Sequence, residues 1–158
     1  MKAFMRGFTL IELVVTVAIV GILASIAVPL TELTARRSKE QELRSALRQI
    51  RGALDDYKQA SDQGQVLRRA DGSGYPRTLD ELADGVVDAR SPTGRPLRFL
   101  RRVPRDPFYP GATGRAADTW GKRAYASAPD APTEGEDVFD VYSLSSQVGL
   151  NGIAYREW

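Results

Sequence analysis

The most prominent pattern in the chain is an apolar run near its start, interrupted by one carboxylate. Leu13–Leu30 holds eighteen residues without a charge, and Phe8–Ile11 extends the apolar pattern upstream of Glu12. A run of ~20 apolar residues is long enough to cross a hydrocarbon core as a helix. Residues 8–30 are therefore predicted to form a transmembrane helix. A charge inside hydrocarbon costs on the order of 2.5–3.5 kcal/mol, which predicts that Glu12 has a functional partner.

The helical pattern continues beyond the apolar run. Apolar side chains recur at steps of four, three, four and three, at Leu43, Leu47, Ile50, Leu54 and Tyr57. This spacing places them on one face of a helix, and that face is predicted to pack against a globular domain. Residues 31–62 are thus the second half of one long helix, with Gly64 as its stop signal. Pro29 has no backbone N–H and its ring crowds the carbonyl of Ser25. This predicts a helix break, either a kink or local melting, around Ser25–Ile26.

Residues 63–158 have the pattern of a small mixed domain. Thr78 followed by Glu81 three positions later predicts a capping box that starts a short helix ending near Gly85. Alternation over 122–126 and 138–143 predicts short strands, separated by loops rich in Gly and Pro. Trp120 is predicted to anchor a hairpin in the core. The expected fold class is α+β, a long N-terminal helix packed on a small antiparallel sheet.

Charge and composition exclude several classes of function. The 22 basic and 20 acidic residues are interspersed, so no nucleic-acid partner is expected. The chain has neither Cys nor His, which removes thiol nucleophiles, His-based triads and the common zinc sites. One helical region is basic, and it is either a solvated face or a contact with lipid headgroups or a neighbouring subunit's acidic residues. Its members are Arg36, Arg37, Lys39, Arg44, Arg48 and Arg51.

A membrane-anchored enzyme is the least supported function. The carboxylate pairs Glu134/Asp137 and Glu136/Asp140 have the residue types of a glycosidase acid and base. They lie in an acidic, Pro-containing loop without the pattern of a pocket. The chain is therefore not expected to be an enzyme.

The N-terminal segment allows three interpretations. It is a secretory signal peptide with a cleavage site at Ala24–Ala27, a plain membrane anchor, or a segment cleaved before the apolar run, after Gly7. The first two leave Glu12 unexplained. Lys2 and Arg6 favour a cytoplasmic N-terminus.

The third interpretation rests on a resemblance. The segment Arg6-Gly7-Phe8-Thr9-Leu10-Ile11-Glu12 resembles the class III signal of type IV pilins and type II secretion pseudopilins. The resemblance implies that a prepilin peptidase removes residues 1–7 and methylates the new N-terminal Phe8. It also implies that Glu12, the fifth residue of the processed chain, is required for assembly. Pro29 matches a proline common within the helices of that family.

The order of motifs further along resembles the major pseudopilins, the protein G class. Four segments and a final Trp carry this resemblance: Tyr75–Thr78, Pro104–Pro107, Asp118–Tyr125, Asp140–Ser143 and Trp158. Residues 108–117 separate two elements that are fused in many members. The resemblance implies a structural subunit of a periplasmic fibre that drives protein export. The alternatives are a type IV pilus pilin, against which the absence of Cys argues, and a minor pseudopilin.

The same resemblance implies a set of partners and a location. The partners are other copies of the chain, minor pseudopilins, the inner-membrane secretion platform, the prepilin peptidase and membrane lipid. The location is the bacterial inner membrane, crossed once, with residues 63–158 forming a periplasmic globular domain. The chain would be extracted from the membrane into the fibre on assembly.

Calcium is the open question for the cofactor. Protein G pseudopilins commonly hold a calcium ion in the loop after the last strand, through Asp side chains and backbone carbonyls. Here residues 143–152 contain no carboxylate, and Asn151 stands where an Asp is expected. Two alternatives follow: a weaker calcium site using Ser143, Asn151 and loop carbonyls, or a hydrogen-bonded turn at Asn151-Gly152, which is favoured.

Overall fold

The computed structural model describes residues 7–69, 72–111 and 113–158, and within them it describes the side chains of all but residues 26–30. The chain divides into two compact units, Met1–Ser38 and Lys39–Trp158. The first helix, α1, spans Leu10–Asp62. It ends where Gly64 adopts a φ of 73°, a left-handed conformation that glycine adopts without strain. The predicted stop is confirmed.

The helix α1 runs through Pro29 without interruption. The local melting predicted around Ser25–Ile26 is therefore not observed, and a bend of the helix at Pro29 stays a prediction. Ser25 lies within regular helix, where its hydroxyl donates a hydrogen bond to the carbonyl of Gly21 at 2.8 Å. Among the residues that the structure describes, no helix is both long enough and apolar enough to span a bilayer.

The predicted apolar stripe on α1 is confirmed as the centre of the core. All five of its members are buried, together with Ala46, Ala53 and Ala60 on the same face. They pack in one cluster with side chains from the rest of the second unit: Val66, Leu79, Leu82, Val103, Ala117, Trp120, Val138, Val141 and Tyr155. The stripe is therefore the face by which the second half of α1 packs against the rest of the second unit.

The second helix, α2, is short and spans Asp80–Asp84. The predicted capping box is wrong, because Leu79 occupies the N-cap position and Thr78 is exposed. The Glu81 carboxylate accepts the backbone N–H of Arg77 at 3.3 Å and the hydroxyl of Tyr57 at 3.4 Å instead. A tertiary contact with α1 therefore takes the carboxylate that local sequence assigned to the cap. Gly85 ends α2 as predicted.

Two small antiparallel sheets replace the single predicted one. Strands β1, Val86–Val87, and β2, Pro96–Leu97, form the first, which the sequence did not indicate. Strands β3, Trp120–Arg123, and β4, Asp140–Ser143, form the second, with Trp120 opposite Ser143 and Arg123 opposite Asp140.

Strand β3 is shorter than predicted at its C-terminal end for a structural reason. Beyond Arg123 the backbone N–H of Ala124 bonds to Thr133 and that of Tyr125 to the Asp137 side chain, so the ladder cannot continue. Strand β4 starts later than predicted because the N–H of Val138 donates to the carbonyl of Pro76.

Trp120 begins β3 and is buried, and its indole N–H donates to the carbonyl of Pro104 at 2.8 Å. The prediction that it anchors a hairpin in the core is confirmed. Two short 3₁₀ helices, Ala116–Thr119 and Tyr155–Glu157, complete the second unit.

Candidate assembly site and C-terminal loop

The first candidate site is the start of α1. Thr9 precedes the helix, and its hydroxyl oxygen accepts the backbone N–H of Glu12 at 3.4 Å, in the position of a helix cap. Glu12 lies in the first turn of α1, where the helix dipole favours a negative charge. Glu12 is exposed and forms no ion pair with another described residue. Lys2 and Arg6 lie outside the described residues.

The side chains around Glu12 form an exposed apolar surface on α1. Every large apolar side chain from Phe8 to Leu23 is solvent-exposed. An apolar surface of this length on a helix marks a region that contacts lipid or other protein. Glu12 is the one carboxylate within it.

The second candidate site is the segment that follows β4. Ser143 is fully buried, its hydroxyl donates to the carboxylate of Asp106 at 2.5 Å, and its oxygen accepts the backbone N–H of Ser145 at 3.1 Å. Asp106 is only 3% exposed and also accepts the backbone N–H of Phe108 at 2.8 Å. Ser143 therefore links β4 to the Asp-Pro segment and is not directed at a loop ion.

The side chain of Asn151 stabilises a turn. Its side-chain oxygen accepts the backbone N–H of Ile153 at 3.1 Å, while Gly152 donates its N–H to the carbonyl of Gly149 at 2.9 Å. Gly152 has a φ of 82°, which favours glycine at the end of this turn. The predicted hydrogen-bonded turn at Asn151-Gly152 is confirmed.

The donor set of this loop does not fit calcium. Calcium requires six to eight oxygen ligands, with carboxylates supplying most of the affinity. The loop has no carboxylate, and the side-chain oxygens of Ser143 and Asn151 already accept or donate hydrogen bonds. Within residues 7–69, 72–111 and 113–158, no three Asp or Glu side chains stand close enough to share a metal ion. No step of the function is therefore assigned to a metal.

Two charged side chains of α1 contact the C-terminal segment, and the sequence had indicated neither contact. Glu40, 6% exposed, accepts the backbone N–H of Leu150 at 2.7 Å and the hydroxyl of Tyr155 at 3.0 Å. Arg51 donates to the carboxylate of Asp140 at 2.8 Å and to the backbone oxygen of Trp158 at 2.8 Å. The one sequence feature that Glu40 and Arg51 share is a charge beside the apolar stripe of α1, which does not by itself distinguish a loop contact from a solvated side chain.

The basic region of α1 is therefore only partly a solvated face. Arg51 is an internal tether, and the guanidinium of Arg44 lies 4.3 Å from the centre of the Trp158 ring. A cation over an aromatic face is attracted by the ring quadrupole. Neither residue was predicted to contact its own C-terminal segment.

One carboxylate of each pair considered for an enzyme is occupied by structural contacts. Asp137 accepts the hydroxyl of Ser73 and the backbone N–H of Tyr125, and Asp140 pairs with Arg51 and Arg123. Asp137 lines an open cavity of about 620 Å³, but its oxygens hold the cavity wall in place. Asp137 and Asp140 are thus part of the scaffold of the second unit, whereas Glu134 and Glu136 are exposed.

Comparison with known proteins agrees with the geometry. Residues 4–28 match the family described as the prokaryotic N-terminal methylation motif. Three features define the class: this motif, a long N-terminal helix whose first half is apolar, and small antiparallel sheets. Together they are those of a pilin-like structural protein.

The relatives identify the family within that class. Type II secretion system core protein G of Pseudomonas aeruginosa is 32% identical over 147 residues, which cover 89% of this chain and 82% of the relative. The Klebsiella pneumoniae protein of that name is 36% identical over 108 residues, covering 65% of this chain and 69% of the relative. That of Aeromonas hydrophila is 33% identical over 111 residues, covering 68% and 70%. The chain belongs to the family of type II secretion system core protein G, the major pseudopilins.

This membership bears on the alternatives. The relatives named above favour a structural pseudopilin subunit over the type IV pilus pilin considered at first. The family is one of structural subunits rather than of enzymes. No solved structure matches the chain significantly.

Proposed function

We propose that the chain is an inner-membrane pseudopilin whose leader is removed between Gly7 and Phe8, and whose Glu12 then pairs with the new α-amine of Phe8 on a neighbouring copy. The proposal makes Glu12 a residue of assembly. It would set the axial stagger between neighbouring helices, because each amine can neutralise the carboxylate of the next subunit.

The observation that carries this proposal is the exposed Glu12 in the first turn of α1, which forms no ion pair with another residue that the structure describes. Its helix-terminal position stabilises the carboxylate by about 0.3–1 kcal/mol. Its presence in hydrocarbon costs on the order of 2.5–3.5 kcal/mol. Since the first quantity is smaller than the second, the carboxylate needs a further partner, and a second charge in low dielectric supplies it.

The chemistry of the leader junction supplies that partner. Cleavage after Gly7 creates an α-amine at Phe8, a cation at the apolar end of α1. Gly7, Phe8 and Thr9 precede the helix in irregular backbone, which a peptidase can bind in extended form. The match of residues 4–28 to the methylation motif supports processing and N-methylation at Phe8.

The apolar surface of α1 supports the location. The uncharged run Leu13–Leu30 follows Glu12, and its side chains are exposed as far as Ser25. We place this run in the inner membrane before assembly and against neighbouring helices in the fibre afterwards. The globular unit then faces the periplasm, and minor pseudopilins and the secretion platform are the further partners.

Mass spectrometry of the chain extracted from membranes tests the processing step. The expected N-terminus is Phe8, carrying one methyl group. An N-terminus at Met1, or one after Ala27, contradicts the proposal.

Substitution of Glu12 tests the assembly step. Glu12→Ala and Glu12→Gln remove the charge and should leave a membrane-inserted protein that no longer forms sedimentable fibres. The matched control is Glu32→Ala, which removes an exposed carboxylate further along the same helix and should assemble normally. Fibres of normal yield from Glu12→Gln would show that the charge pair does not set the register.

A further inference from the structure

The C-terminal segment of the second unit uses several of its carbonyls in hydrogen bonds of its own. A cation binds carbonyl oxygens, so a loop that holds one turns its carbonyls inward. Here the carbonyl of Gln147 accepts the N–H of Tyr155, that of Gly149 accepts the N–H of Gly152, and that of Ile153 accepts the N–H of Gly149. These carbonyls are occupied by the loop itself.

The contact between the loop and α1 also differs from a metal site in which groups the loop contributes. A metal site needs acceptor oxygens from the loop, whereas here the loop contributes hydrogen-bond donors. The carboxylate of Glu40 accepts two hydrogen bonds, from the N–H of Leu150 and from the hydroxyl of Tyr155. Hydrogen bonds to an ionised acceptor are shorter and stronger than those between neutral groups. A buried carboxylate from the helix thus binds donors of a loop in which three carbonyls are already bonded to the loop's own N–H groups.

A second tether holds the far end of the segment. Arg51 lies eleven residues beyond Glu40 on α1, about three helical turns. Its guanidinium bonds to the backbone oxygens of Val141 and Trp158 and to the Asp140 carboxylate. The segment from β4 to Trp158 is therefore attached to one helix at two separate levels.

The aromatic side chains between the two tethers fill the space beneath the loop. Tyr155 stacks on Phe108 with ring centres 4.1 Å apart and meets Trp158 edge-on at 5.0 Å. Tyr155 is fully buried. The hydroxyl that Glu40 accepts thus belongs to a core residue, and the tether is continuous with the core.

We infer that the C-terminal segment of this chain folds and stays anchored without a divalent cation, with the Glu40 carboxylate of α1 in the stabilising role that calcium has in the resembling proteins. The inference concerns the fold of Lys39–Trp158 and is independent of the assembly proposal. A chain that fails to form fibres can still anchor its C-terminal segment without a cation, and a chain that forms fibres can still need a cation for that segment.

The first experiment measures the metal dependence directly. The processed full-length chain in detergent micelles is unfolded by heat, with tryptophan fluorescence as the readout, in calcium or in a chelator. The expected melting temperature is the same in both. A melting temperature that falls in chelator and recovers when calcium is added overturns the inference. Sensitised luminescence from bound terbium that decreases when calcium displaces the terbium overturns it as well.

The second experiment tests Glu40 itself. Glu40→Ala should lower the melting temperature by several degrees and speed amide hydrogen exchange at Leu150. Glu42→Ala, an exposed glutamate two positions along the same helix, is the control and should change neither quantity. Equal exchange at Leu150 in Glu40→Ala and the control overturns the role given to Glu40.

A milder variant keeps the test decisive if Glu40→Ala does not fold. Tyr155→Phe removes only the hydroxyl that donates to Glu40 and retains the ring that stacks on Phe108. Its melting temperature should fall by a smaller amount, equally in calcium and in chelator. A fall that added calcium reverses would show that a metal, and not the carboxylate, holds the loop.

Discussion

The hydroxyl of Ser143 donates a hydrogen bond to the buried carboxylate of Asp106, with 2.5 Å between the two oxygens. The contact joins β4 to the Pro-x-Asp-Pro segment, 37 positions earlier in the chain. Asp106 also receives the N–H of Phe108, and its own N–H donates to the hydroxyl of Thr119 at 3.1 Å. Through its carboxylate and its backbone N–H together, Asp106 therefore joins its own segment to β4 and to the 3₁₀ helix that contains Thr119.

Ser143→Ala removes one donor from this carboxylate. A buried acceptor that loses its partner costs about 1–3 kcal/mol of folding free energy. The N–H of Ser145 loses its acceptor as well. Urea unfolding followed by fluorescence should therefore show a clearly lower midpoint. The control is Ser146→Ala, at an exposed serine nearby, which should stay within about 0.5 kcal/mol of the parent. Equal midpoints for both variants would mean that the Ser143 contact is not stabilising.

Gly149→Ala tests the packing of the loop. A Cβ at this position would lie 2.6 Å from Cζ2 of Trp158, 2.7 Å from Oδ1 of Asn151 and 3.2 Å from the carbonyl oxygen of Ile153. The backbone oxygen cannot move without breaking its hydrogen bond to the N–H of Gly149. Overpacking of this kind costs typically about 1–3 kcal/mol. Chemical denaturation should show that loss of stability.

The matched control for that variant is Gly52→Ala. Gly52 lies in α1 and is exposed, and an added Cβ meets nothing within 4 Å. Alanine has the higher helix propensity by about 0.8–1 kcal/mol, so this variant should be more stable than the parent. The two glycine substitutions are thus predicted to shift stability in opposite directions. A stabilising Gly149→Ala would contradict the observed packing of the loop.

Tyr57 predicts a loss of stability at high pH. Burial raises its pKa from 10.0 to about 12, and the negative charge and hydrogen-bond acceptance of Glu81 add to the rise. Between these two values the unfolded chain has released the phenol proton while the folded chain retains it. The folded state then binds more protons, so this contribution is present below pH 10 and is lost as the pH rises to about 12.

The measurement is urea unfolding at a series of pH values in that window. Tyr57→Phe keeps the ring, whose centre lies 5.3 Å from that of Phe99, and removes the titrating hydroxyl. Its stability should fall less steeply than that of the parent over the window. An absorbance titration of Tyr57→Phe should also show one fewer tyrosine that ionises near pH 12 than the parent does. Parallel stability curves for the two proteins would contradict the shifted pKa.

The features that sequence predicted well are those encoded by neighbouring residues. The N-terminal methylation motif occupies one contiguous stretch, residues 4–28, and the core face of α1 follows from a spacing of three and four residues. The end of α1 at Gly64 and the turn at Asn151-Gly152 follow from the conformational preferences of single residues. None of these requires knowledge of a distant partner.

The errors arose where a distant partner competes with a local one. The capping box failed because the carboxylate of Glu81 contacts Tyr57, 24 positions away. The strand limits shifted because Val138 and Tyr125 bond to residues outside the ladder. Ser143 looked like a loop ligand in the sequence, but its strand position turns it towards Asp106.

The family could thus be read from the chain itself. The proposals for the processing junction and the assembly carboxylate also come from the chain alone, since each depends on a short segment and on the cost of a charge among apolar residues. The way the C-terminal segment is held could not be read in that way. Glu40 meets Leu150 and Tyr155 across 110 and 115 positions, and Arg51 meets Trp158 across 107. Only the packing of the second unit brings these groups to hydrogen-bonding distance, because a charge beside an apolar stripe looks the same in sequence whether it faces water or a loop.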